Sequence, residues 1–74
     1  MAISEKAESG IKNAYKGAFG SLDSLQGIRF NEVANHYEVV RTDGRKMILS
    51  RKDVDDEMWP QIDLKFKNRN RWRP

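Results

Sequence analysis

A chain of 74 residues with 34% charged side chains, a net charge of +3 and no cysteine makes one small domain, too small to enclose a deep substrate pocket. Without cysteine, neither a disulfide nor a thiolate-bound metal can supplement its core. The longest aliphatic run, Met47-Ile48-Leu49, falls far short of the about 20 apolar residues that cross a bilayer.

Residues 4 to 19 have helical spacing. Ile3, Ala7, Ile11, Ala14, Tyr15, Ala18, Phe19 and Leu22 form one apolar stripe. Ser4 is the expected N-cap, and Glu5 and Glu8 suit the positive end of the helix dipole. Ala7, Gly10, Ala14 and Gly17 give the stripe a small-residue flank, which close packing of this chain on itself or a partner's helix would fill. Gly20 is the expected stop. Residues 21 to 27 read as a short helical turn or loop closed by Gly27, Ile28-Arg29-Phe30 as the start of a strand, and residues 31 to 35 as either strand or one helical turn.

Tyr37 to Thr42 and Arg45 to Ser50 flank Asp43-Gly44 and predict a hairpin with a two-residue turn. That register sets Val40 opposite Met47 and Val39 opposite Ile48, so both faces are partly apolar and the hairpin should be central or covered on both sides. Ser50 or Asp53 is expected to cap a short helix, with Asp53, Asp55, Asp56 and Glu57 near its start and Pro60 as its stop. Ile62, Leu64 and Phe66 then alternate with polar residues, the period of a half-buried strand. The assembled expectation is an α+β domain over residues 1 to 66. A small antiparallel sheet of three or four strands carries the N-terminal amphipathic helix, with a short acidic helix before the last strand. Residues 67 to 74 form a basic C-terminal tail.

Little in the chain suggests catalysis. His36 is the only histidine, no serine sits in a nucleophile elbow, and no glycine-rich loop carries a phosphate-loop lysine. Counted from Asp53, the sixth residue is Met58 where a calcium loop needs glycine. No enzyme, metal or cofactor is therefore expected. Residues 44 to 59, a hairpin followed by a basic residue, Asp53-Val54 and a helix ending in Trp59, resemble loosely the wing and following helix of excisionase-type winged-helix proteins. The resemblance adds weight to DNA binding. The helix-turn-helix of that family has no counterpart here, because residues 32 to 42 are too short and too β-prone.

The tail is the main functional signal. Lys65, Lys67, Arg69, Arg71 and Arg73 occupy every odd position from 65 to 73, and no acid interrupts them. If the segment is extended, these cations share one side at about 6.7 Å intervals. Phe66, Asn68, Asn70 and Trp72 occupy the other side. One edge could then neutralise phosphates while Trp72 stacks on a base, with Arg41, Arg45, Lys46, Arg51 and Lys52 extending the basic surface. Five phosphates on a duplex correspond to a salt slope of about −4.5. The expected function is a small non-enzymatic accessory or regulatory protein that binds DNA or RNA through Lys65, Lys67, Arg69, Arg71, Trp72 and Arg73. The alternative is a protein-binding structural or inhibitory protein, such as a minor virion component or a phage inhibitor of a host enzyme. In that reading the tail is an arm on an acidic protein surface, and Ala7, Gly10, Ala14 and Gly17 form an interface, a homodimer included. The opening Met1-Ala2-Ile3-Ser4-Glu5-Lys6 lacks the basic-then-apolar pattern of a signal peptide, so the expected location is the cytoplasm, or a virion, with no membrane partner.

Overall fold

The computed structural model describes residues 4–74 and shows an α+β fold. In chain order it has α1 (Glu5–Phe19), β1 (Leu25–Asn31), β2 (His36–Arg41), β3 (Lys46–Ser50), α2 (Arg51–Asp55) and α3 (Trp59–Lys67), then a 3-10 turn at Arg69–Arg71. The strands form an antiparallel meander in the order β1-β2-β3, and the helices cover one of its faces.

Helix α1 follows the sequence closely. Ser4 accepts a hydrogen bond from the Ala7 amide at 3.1 Å. Gly20 ends the helix at φ +82°, where its amide bonds the Lys16 carbonyl, a conformation that costs glycine least. Ala7, Ile11 and Tyr15 are buried; Ile3 lies outside the described residues. Strand β1 begins at Leu25, where a helical turn or loop was expected, and Gly27 lies within it beside a bulge. Residues 32 to 35 form the turn to β2, placed by the Asn31 side chain accepting from the Ala34 amide and by Asn35 at φ +57°. Val33 stands at its tip, 99% exposed.

The β2–β3 hairpin forms at the expected place, one residue out of the expected register. The Gly44 amide bonds the Arg41 carbonyl, and the Arg41 amide bonds the Arg45 carbonyl. Residues 42 to 44 therefore make a three-residue loop in which only Gly44, at φ +88°, enters the left-handed region. Val39 faces Met47 and Tyr37 faces Leu49. A one-residue slip moves every side chain to the other face. Here it places Tyr37, Val39, Met47 and Leu49 together in the core with Ile28 and Phe30 of β1. The opposite face is uncovered by this chain, where a hairpin central in its sheet or covered on both sides was expected; β2 is central and β3 lies at the edge. The uncovered face carries Arg29, Glu38 and Ile48 in one row, with Val40 and Lys46 in the next.

The C-terminal third departs most from expectation. Ser50 caps α2 by accepting from the Asp53 amide. Pro60 does not stop that helix; it lies in the first turn of α3, where a missing N–H costs nothing. Residues 62 to 66 are helix rather than strand. Ile62 and Phe66 are spaced four apart, so they share a helix face as readily as a strand face. Both are buried, while Leu64 between them is 66% exposed. An Asp63–Lys67 ion pair at 3.0 Å supports the helical spacing.

Two carboxylates tie this framework to pH. Asp53 is held below its ordinary value of 3.8, first by the hydrogen bond from Lys65. Glu38 is held below 4.5, first by its hydrogen bond with His36. A carboxylate whose pKa drops on folding stabilises the fold above its unfolded pKa, and that contribution is lost as pH falls through the folded pKa. The melting temperature should therefore fall on acidification below about pH 4.5. Asp53→Asn should flatten this decline in a pH series of thermal melts. An unchanged profile would remove Asp53 from the acid response.

Candidate functional site

The basic C-terminal segment is not an extended row. Lys65 and Lys67 belong to α3 and are engaged there. Lys65 donates to Asp53 at 2.9 Å, and Lys67 pairs with Asp63. The 3-10 turn begins at Asn68, whose side-chain carbonyl accepts from the Asn70 amide at 3.0 Å. Arg69, Arg71 and Arg73 are exposed and make no ion pair among the described residues.

Trp72 does not offer the free stacking plane expected from the sequence. It is 5% exposed. Its indole N–H donates to the Phe66 carbonyl at 2.8 Å, satisfying one of the acceptors that the end of α3 leaves open. The ring lies near-parallel to Phe66 at 5.8 Å and meets Tyr15 and Phe19 edge-on. Tyr15 in turn hydrogen-bonds Ser24. The guanidinium of Arg41 lies 4.8 Å from the Phe19 ring and 5.3 Å from the Trp72 ring, which exposes the cation to two π faces. Arg41 Nε is buried without a hydrogen-bond partner among the described residues. The segment expected to leave the domain at residue 67 thus folds back and fills the core.

Beyond Trp72 the chain forms one rung with the sheet. The Lys46 amide bonds the Arg73 carbonyl at 2.8 Å, and the Arg73 amide bonds the Lys46 carbonyl at 3.0 Å. Directly opposed residues of an antiparallel pair point to the same face, so Lys46 and Arg73 both project from the uncovered side of the sheet. Beside them opens a groove of about 610 Å³, lined by Ile48, Asn68, Asn70, Arg71 and Pro74 among others. Among the described residues neither Lys46 nor Arg73 has an ion-pair partner. The acid on that face, Glu38, pairs with Arg29 at 3.4 Å and His36 at 3.2 Å. In the sequence, Lys46 is only one of several residues that extend the basic surface. Its pairing with Arg73 is non-local and leaves no local pattern to find.

Two of the other basic residues considered with the tail are committed elsewhere. Arg51 and Lys52 pair with Asp55 and Asp56, while Arg45 stands exposed at the hairpin end beside Lys46. The acidic cluster around α2 is neutralised residue by residue. Asp53, Asp55, Asp56 and Glu57 meet Lys65, Arg51, Lys52 and Lys6. No group of three potential ligands is placed to hold a metal ion among the described residues, and no described helix is long and apolar enough to cross a membrane.

The small-residue flank of α1 is not one continuous surface either. A Cβ on Gly10 would lie 2.3 Å from the Trp59 ring, whereas one on Gly17 would meet nothing within 4 Å. Ala7 is buried and Ala14 packs against the core. The close approach that Gly10 permits is therefore made by Trp59 of the same chain. No family model matches this chain, and comparisons with curated proteins and with solved structures also find no match.

Proposed function

We propose that this protein is a small, non-enzymatic nucleic-acid-binding accessory protein that holds phosphates with the exposed cations of its C-terminal segment. The observation that supports this reading is the difference in charge pairing along that segment. Lys65 and Lys67 are used internally, whereas Arg69, Arg71 and Arg73 are exposed and unpaired among the described residues. No Asp or Glu lies between Asp63 and Pro74 in the sequence. Arginine suits phosphate because its planar fork can donate two parallel hydrogen bonds.

The test is a salt series. Each phosphate contact on B-form DNA contributes about −0.9 to the slope of log affinity against log salt. Replacing Arg69, Arg71 and Arg73 together by alanine should make the slope less steep by about 2.7 and weaken binding at low salt. All three are exposed and outside the core, so thermal melting should change little. A triple variant that binds every tested nucleic acid like the parent would remove the segment from the proposed interface.

A further inference from the structure

We infer that the nucleic acid is a duplex, gripped along its phosphates at the Lys46–Arg73 rung with Arg71 beside it. This rests on the nucleic-acid reading above and names the partner's form. It also gives Lys46 a role that its local sequence does not suggest.

Proteins that hold single strands combine a basic groove with aromatic faces on which unstacked bases lie. The fold leaves no aromatic face beside the groove. Tyr15, Tyr37, Phe66 and Trp72 are buried. Phe19 packs on Tyr15 and Trp72, and Phe30 on Tyr37. The Trp59 ring lies over Gly10. These account for every aromatic residue in the sequence. Among the described residues the large apolar side chains that are exposed, Leu22, Val33, Ile48 and Leu64, are all aliphatic. An amide that could have read a base edge is also engaged, because the Asn68 carbonyl caps the 3-10 turn.

What the groove does offer is fixed positive charge. Reciprocal backbone hydrogen bonds hold Lys46 and Arg73 directly opposite one another. Like charges so placed repel. Glu38, the acid on their face, makes its direct contacts with Arg29 and His36 and reaches Lys46 only through space. A phosphate across the rung would give both a direct counter-charge. The sheet fixes the backbone spacing of the two residues. Double-stranded DNA presents one charge per about 1.7 Å of axis against one per 3.4 Å for each strand, so paired cations at one edge gain more from the duplex.

Fluorescence anisotropy with a labelled short DNA duplex, and with each of its strands alone, tests this at low and moderate salt. The parent should bind the duplex more tightly than either strand, with little dependence on base sequence. Lys46→Ala and Arg73→Ala should each make the duplex salt slope shallower by about 0.9. Both side chains are exposed, and the rung uses backbone atoms only, so both variants should melt like the parent. Tighter binding to a single strand would overturn the duplex inference and leave the nucleic-acid reading standing. Parent-like duplex slopes in both variants would overturn the inference in the same way. Failure to bind any of the three probes, or the RNA duplex of the same sequence, at low salt would overturn the nucleic-acid reading itself.

Discussion

Trp72→Ala should lower the unfolding free energy by about 3–5 kcal/mol, the usual cost of removing a buried aromatic ring. The ring touches the aromatic side chains that join α1 to α3, namely Tyr15, Phe19 and Phe66. Its removal leaves a void, deprives Arg41 of one π face and frees the Phe66 carbonyl at the end of α3. A domain of this size has a stability of only about 4–11 kcal/mol, so the loss is a large share of the total and the denaturation midpoint should fall steeply. Trp72→Phe separates the contributions. It keeps an aromatic ring and loses the indole N–H, and should cost about 1–3 kcal/mol for an unsatisfied carbonyl. Denaturant titration followed by circular dichroism measures both. A Trp72→Ala midpoint equal to the parent's would mean that the C-terminal segment does not dock. The same docking positions Arg71 and Arg73, so binding by the Trp72→Ala chain should weaken together with stability.

Gly10→Ala should destabilise the protein by about 1–3 kcal/mol, as overpacking does, even though alanine is the better helix former by about 1 kcal/mol. The added Cβ would sit 2.3 and 2.4 Å from two ring carbons of Trp59, so the indole must move. Gly17→Ala on the same helix meets nothing within 4 Å and should instead stabilise by about 1 kcal/mol. A double-mutant cycle isolates the cause. In a Trp59→Ala background, Gly10→Ala should lose its penalty and become stabilising. If Gly10→Ala remains destabilising there, the ring is not what Gly10 accommodates. Substitution at Gly10 thus tests internal packing, and a bulkier residue such as leucine would unfold the chain before reporting on any partner.

How much of this was legible depended on whether a signal was local. The caps of α1 were readable because Ser4 and Gly20 act on amides and carbonyls within a turn of themselves. Ser50 was one of two caps readable for α2 on the same ground, the other being Asp53, and the structure uses Ser50. The Asp43-Gly44 pair located the hairpin, but a two-residue and a three-residue loop both place glycine where φ is positive. Choosing between them set which face of the sheet is buried. Ile62, Leu64 and Phe66 fit period two, and Ile62 with Phe66 also fits a helix face. Pro60 and the Asp63–Lys67 spacing were the signals that favoured helix.

By itself the sequence determined the α+β class, the amphipathic first helix, the place of the hairpin and the concentration of cations after residue 64. Short-range hydrogen bonding and hydrophobic periodicity carry each of these. Only the tertiary structure decided that Trp72 is a core residue, that Lys65 and Lys67 are tied to Asp53 and Asp63, and that Lys46 stands opposite Arg73. The alternation of charges in residues 65 to 73 invites an extended reading. The apolar area of a buried tryptophan outweighs that pattern, because burying such a ring stabilises by more than one side of evenly spaced charges in water can. Once Trp72 is drawn into the core, the chain on either side follows, and Arg73 is delivered to the edge of β3.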